Sequence, residues 1–301
     1  MLVDLYSRGR AIAACVLCCS LMACSESTLP TLVLVEIETY KSVDGRDLRA
    51  YVYRPASVAS ERVHPAAILI HGGGWYMGEP AWMEARARRL ASLGMVAVAV
   101  EYRLSDQASV TPLEAMADVR DAIRWMRRDA DRLGLDPDRI AALGVSAGGH
   151  LAAAAAMIDP EGSDTLSAAA NAFVFWYPAL SLAGDNWLKR ILLDRASVSS
   201  IDPVEHVRPG LPPTLIFVGV NDSLTPLTGQ QEFCARMEQV GNQCTIQVYP
   251  GLGHLFMRNP WGEGNEPSDS AAQTDASLRA ERFLELLGYV TLRSSPARAP
   301  R

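Results

Sequence analysis

A basic surface is missing from this chain. Its 28 Lys and Arg are outnumbered by 34 Asp and Glu, for a formal net charge of −6. No cluster of cations tracks one helix face or loop, which argues against nucleic acid as a partner. A bilayer-spanning run is missing too, since the apolar stretch Ala11–Met22 is too short to cross as a helix. Cysteine is scarce, six in 301 residues, and four of them (Cys15, Cys18, Cys19, Cys24) crowd the first 24 positions. No second ligand pair lies near Cys234 and Cys244, so zinc is not expected. No internal repeat is present, and nothing in the chain calls for a metal or cofactor. What the chain does have is apolar mass: 49% hydrophobic residues, ample for one large buried core.

The start of the chain reads as a targeting segment. Arg8 and Arg10 precede the short apolar stretch, and Leu21-Met22-Ala23-Cys24 closes it. That ending resembles a bacterial lipobox, in which Cys24 is lipidated and becomes the mature N-terminus. An ordinary signal peptide cut near the same place is the alternative. Two or more acyl chains would hold the protein stably on a membrane. The expected product is exported: a lipid-anchored cell-envelope protein, otherwise a periplasmic or secreted one. Residues 1–23 are then signal, 24–290 one domain and 291–301 a flexible tail. Export leaves Cys234 and Cys244 in an oxidising compartment, where a disulfide is expected. Over so short a loop it would stabilise by about 2.5–3 kcal/mol; two unpaired buried thiols are the alternative.

Beyond a polar linker, apolar runs alternate with helical patterns. Strands are expected over 31–39, 48–53, 66–70, 96–101, 140–143, 173–177, 214–218 and 245–249. Helices are expected over 82–93, 112–133, 148–157, 226–240 and 276–287. Asp44-Gly45 between the first two strands is a hairpin turn signal. From Ala66 onward strand and helix alternate, which makes the fold class α/β: a mostly parallel sheet of about eight strands with helices on both faces. The longest segment without clear periodicity is 180–213, as expected of an insertion over a site or of surface loop.

The chemistry concentrates at the strand ends. Ser146 stands in Gly144-Val145-Ser146-Ala147-Gly148 between a strand and a helix, and His71-Gly72-Gly73-Gly74-Trp75 follows another strand. A serine hydroxyl is a weak nucleophile unless it is held clear of its neighbours beside a base. Strand, sharp turn and helix provide that exposure. Downstream, Asn221-Asp222 and Gly253-His254 each follow a strand.

Together with Glu101-Tyr102-Arg103-Leu104, Asp136-Pro137-Asp138-Arg139-Ile140 and Gly149-His150, these motifs resemble the α/β-hydrolase fold. Within it, they resemble hormone-sensitive-lipase-like esterases and the related exported carbohydrate (acetylxylan or feruloyl) esterases. The likeness runs from about residue 35 to 287. One departure is Asn221-Asp222-Ser223-Leu224, where the family often has Asp-Pro-Leu around its acid. The resemblance implies a serine carboxylesterase with Ser146 as nucleophile, His254 as base and Asp222 as the residue that orients it. The N–H groups of Gly73, Gly74 and Ala147 would form the oxyanion hole. The expected substrate is a small ester or an acylated glycan, short acyl groups being favoured because no long apolar lid is evident.

Each role has a rival. Asp194 and Asp202 compete with Asp222 but end no strand, and His206 precedes the strand that presents Asp222. His150 is expected to be a packed, hydrogen-bonded core residue, His71 to order the glycine loop, and His64 to lie on the surface. Trp75 and Tyr76 line a substrate pocket or pack the loop, and Trp187 is a weaker pocket wall. At the level of function, the alternatives are a serine peptidase-like hydrolase and a non-catalytic glycan- or partner-binding member of the fold. The first lacks room for a propeller domain. The second would show a lost triad residue, and none is lost.

Overall fold

The computed structural model describes residues 33–55, 63–106, 108–158, 166–258 and 268–292. The expected signal segment, Cys24 and all but the first two residues of the 291–301 tail lie outside them.

Eight strands form one sheet: β1 (Val33–Val43), β2 (Arg46–Pro55), β3 (His64–Ile70), β4 (Val96–Val100), β5 (Leu135–Val145), β6 (Ala172–Trp176), β7 (Thr214–Gly219) and β8 (Cys244–Tyr249). Their spatial order is β1-β2-β4-β3-β5-β6-β7-β8. The hairpin β1–β2 turns at Asp44 and Gly45, both at positive φ (52° and 73°), the conformation for which Asp-Gly is suited. β2 pairs antiparallel with β4, and every pairing beyond β4 is parallel.

Side-chain alternation divides the core between the two faces. In β4, Val96, Val98 and Val100 join one apolar cluster, and Ala97 and Ala99 the other. The valine face is covered by α2 (Pro112–Arg128), α4 (Ala147–Met157) and α6 (Leu227–Gln239). The alanine face is covered by α1 (Glu84–Ser92) and α7 (Ser270–Leu286). Every residue of α4 is buried, and its run of alanines suits both helix formation and close packing. Among the described residues no helix is long and apolar enough to cross a membrane.

The helix expected over 112–133 is divided at Asp129 into α2 and the single turn α3 (Ala130–Leu133). A full capping box starts α2: Thr111 Oγ1 accepts from Leu113 N, and Glu114 Oε2 accepts from Thr111 N at 2.8 Å. Such a cap contributes about 1 kcal/mol. Helix α7 begins six residues earlier than its apolar pattern suggests, because Asp269 caps it through Ala272 N. Inside 180–213 lies one short helix, α5 (Asn186–Ile191), with two 3-10 turns. The C-terminal ends of β3, β5, β7 and β8 open on one edge of the sheet, where parallel α/β folds place their ligands.

Candidate active site

The chain turns from β5 to α4 through Ser146, whose φ of 53° and ψ of −119° are sparsely populated for any residue with a side chain. Gly144 and Gly148 flank it. The unusual φ falls on the serine, and the glycines supply room. A Cβ on Gly144 would lie 2.5 Å from Gly149 Cα, and one on Gly148 would run into the carbonyl of Ile70. Small residues therefore let the first turn of α4 press against β3 and β5, leaving Ser146 as the protruding side chain.

His254 Nε2 stands 3.1 Å from Ser146 Oγ, and His254 Nδ1 stands 2.9 Å from Asp222 Oδ2. A carboxylate can only accept from the ring, so Nδ1 carries the proton and Nε2 is left to accept from the serine hydroxyl. Asp222 is fully buried yet well supplied with donors. Its Oδ1 accepts from Leu224 N (2.9 Å) and Thr225 N (2.8 Å), and Thr225 Oγ1 lies 2.9 Å from Oδ2. The same hydroxyl reaches Tyr177 O at 3.0 Å. The ring of Tyr177 meets that of His254 edge-on at 5.1 Å.

Opposite the serine, Gly73, Gly74 and Trp75 occupy positive φ in succession (114°, 58° and 66°). Gly73 O closes this turn by accepting from Tyr76 N and Met77 N. A Cβ on Gly73 would collide with Met77 O, so no other residue fits there. His71 braces the loop. Its ring stacks on Tyr102 at 4.3 Å, its Nδ1–H donates to Gly72 O at 2.7 Å, and Tyr102 Oη donates to His71 O at 3.0 Å. Burial lowers His71 to about 4, so the ring stays neutral. Among the described residues, nothing accepts a hydrogen bond from Gly73 N, Gly74 N or Ala147 N.

A family model, BD-FAE, matches residues 51–237, which include the glycine loop, the serine turn and the acid. The chain belongs to the BD-FAE family. Among solved structures, the apo form of Thermogutta terrifontis esterase 2 superposes with a TM-score of 0.77 at 33% identity, covering 86% of this chain and 97% of that one. Among curated relatives, Mycobacterium tuberculosis esterase LipC is 30% identical over 216 residues, 64% of this chain and 53% of its own length. The probable carboxylic ester hydrolase LipM of the same organism is 30% identical over 262 residues, 80% and 58% respectively. The chain thus spans little more than half the length of these two relatives. The BD-FAE chain described here has the α/β-hydrolase fold of these esterases, as its motifs imply.

In this BD-FAE member, Ser146 and His254 border a cavity of about 980 Å³ together with Gly73 and Gly74. Trp75 is 4% exposed and both lines the cavity and fastens it, since its Nε1 donates to His150 Nδ1 at 3.0 Å. Tyr76 is 46% exposed on the rim and meets Trp187 edge-on at 4.9 Å. Trp187 Nε1 in turn donates to Gly74 O at 3.1 Å, so the irregular 180–213 segment forms part of the wall.

The rival residues lie elsewhere. His150 is fully buried, donates its Nε2–H to Ile201 O at 2.8 Å, and is lowered to about 4 by burial. His206 sits on an exposed turn against Ser199 O. Asp202 is buried, with its Oδ2 accepting from Leu182 N, and burial raises its carboxyl above the usual range. Asp194 lies in a turn at φ 57°. His64 is not on the surface as expected. It is half-buried at the start of β3, with Nδ1 against Gly94 O, because the chain enters the sheet there. Cys234 and Cys244 are bonded, with Cα atoms 5.2 Å apart, and link the middle of α6 to the first residue of β8.

Two contributors escaped the sequence reading. Thr225 follows Asp222 by three residues, and that spacing is itself the signal of a turn closed by an aspartate side chain. Arg86 lines the cavity from α1 and carries no comparable signal. Among the described residues, no group of three or more His, Cys, Asp or Glu is placed to hold a metal ion.

Proposed function

We propose that this protein is an exported serine hydrolase that cleaves carboxylic esters with short acyl groups, acetyl or feruloyl groups on glycans being the natural class. The observation that carries the reading is the contact chain from Ser146 Oγ through His254 to Asp222, at 3.1 and 2.9 Å, opening beside unpaired N–H groups. Ser146 attacks the ester carbonyl while His254 Nε2 takes its proton. The oxygen that gains charge turns toward Gly73 N, Gly74 N and Ala147 N. His254 then protonates the departing alcohol. A water activated by the same ring releases the acid and restores Ser146. Asp222 stabilises the imidazolium, and losing one oxyanion donor would remove about 2.7–4 kcal/mol of transition-state stabilisation.

The rim supports an aryl or sugar group: Tyr76, Trp82 and Trp187 offer flat apolar faces to a bound ring. The Cys234–Cys244 bond is in keeping with export. Lipidation at Cys24 would hold the domain on the envelope.

The deciding experiment compares p-nitrophenyl acetate hydrolysis by the wild type and by Ser146→Ala, with circular dichroism to check folding. Loss of turnover in a folded variant is expected, and equal turnover by both would sink the mechanism. Thermogutta terrifontis esterase 2 has been solved phosphorylated by paraoxon. Paraoxon should accordingly add one diethylphosphoryl group to Ser146 here, read as a mass shift absent from the alanine variant. For export, metabolic labelling with palmitate should mark the wild type and spare Cys24→Ser.

A further inference from the structure

The catalytic cavity contains a positive charge that the ester chemistry does not use. Arg86, on α1, lines it. Its guanidinium carbon lies 4.6 Å above the Trp176 ring, its Nη2 donates to Gln273 Oε1 at 3.2 Å, and it reaches the side chain of Tyr177. None of these partners carries a negative charge. Among the described residues no carboxylate pairs with Arg86, and its buried Nε has no hydrogen-bond partner. Three helix positions on, Arg89 shows the contrast: Glu281 neutralises it through two bonds of 2.7 Å.

The other charged residue lining the cavity is Asp185, whose Oδ1 is taken by Leu188 N at the start of α5. Arg86 also borders a second, smaller cavity of about 290 Å³ between α1 and α7, so space lies on two sides of it. Arg86 is thus an unneutralised cation held over an aromatic face, in a cavity whose carboxylate, Asp185, is engaged by the start of α5, and it favours an anion. A guanidinium binds a carboxylate through paired hydrogen bonds.

Resting on the esterase reading, we infer that Arg86 is a specificity-determining residue that selects esters carrying a carboxylate a few bonds from the scissile carbonyl. Its link to the chemistry is short, since Tyr177 touches Arg86 on one side and faces the ring of His254 on the other.

The test uses two substrate pairs in which a carboxylate replaces a terminal methyl. Monomethyl adipate against methyl hexanoate probes the acyl side, and 4-acetoxybutanoate against butyl acetate probes the alcohol side. Each is followed by pH-stat at low ionic strength with wild type, Arg86→Gln and Arg86→Lys. In at least one pair, wild type is expected to prefer the anion by roughly tenfold or more in kcat/KM, chiefly through KM. Arg86→Gln should lower that ratio about tenfold, Arg86→Lys should keep most of it, and 0.5 M NaCl should shrink it. Because each ratio is taken within one enzyme preparation, partial misfolding cancels. Equal loss on both members of each pair, or no preference in the wild type, would overturn the inference while leaving the esterase reading intact. A wild type that turns over no ester and takes no paraoxon label would overturn both.

Discussion

Trp75 Nε1 donates a 3.0 Å hydrogen bond to His150 Nδ1, which joins the turn after Gly73 and Gly74 to the helix that follows Ser146. Both residues are buried, and His150 spends its other nitrogen on Ile201 O, so the ring also holds the 180–213 segment. Trp75→Phe keeps most of the packing but leaves a buried imidazole nitrogen without its donor. A loss of about 1–3 kcal/mol in urea unfolding is expected. A fall in kcat of roughly tenfold should accompany it as the glycine loop loses its position.

The same ring gives the protein a pH dependence. His71 and His150 are both lowered to about 4 by burial, whereas an unfolded histidine titrates near 6.5. Between those values the unfolded chain binds more protons than the native one. Stability is therefore complete above about pH 6.5 and declines as the pH falls toward 4. By pH 5 the loss is on the order of 2 kcal/mol for each ring. Chemical denaturation at pH 7 and pH 5 measures it, and a His150→Gln variant should show a shallower decline than the wild type.

Thr225 offers a cleaner separation of chemistry from folding. Its hydroxyl lies between Asp222 Oδ2 and Tyr177 O, 3.3 Å from His254 Nδ1, at the cavity wall. Thr225→Val preserves shape and removes that hydroxyl. A decrease in kcat of roughly ten- to thirtyfold with KM little changed is expected, as the carboxylate loses a donor that fixes it. Thr225→Ser should restore most of the rate.

Gly148→Ala tests the close approach at the serine turn. The added methyl meets the carbonyl of Ile70, and backbone cannot give way as a flexible side chain can. A destabilisation of about 1–3 kcal/mol is expected, together with a loss of activity larger than that change in folded population explains. Melting and single-turnover kinetics on the same sample separate the two effects.

The disulfide should behave as a staple and nothing more. It joins α6 to β8, and neither cysteine lines the catalytic cavity. Replacing both cysteines by serine should lower stability by about 2.5–3 kcal/mol and leave kcat/KM for p-nitrophenyl acetate within twofold.

What the sequence makes legible depends on how local each cause is. Ile68, Val98 and Phe217 sit in apolar runs with strand chemistry, and their strands stand where those runs predict. Ser146 and His254 stand 108 positions apart and meet at 3.1 Å, and the order of motifs along strand ends already puts both at one end of the sheet. Helix ends were read less well, because Asp129 and Asp269 act through single hydrogen bonds that leave no periodic trace. The 180–213 segment stayed opaque for the same reason: contacts such as Asp202 with Leu182 and Trp187 with Gly74 hold it. Arg86 was hidden among the three arginines of α1, whose spacing does not say which of them stacks on Trp176.

Ser146 holds a backbone conformation that the fold itself would rather not have. A glycine in its place would relax there at little steric cost, so Ser146→Gly should lose all turnover and yet melt at a higher temperature than the active protein. A laboratory selection for heat resistance alone would therefore drift toward a dead enzyme, and any stabilised descendant of this chain has to be screened for activity at every round.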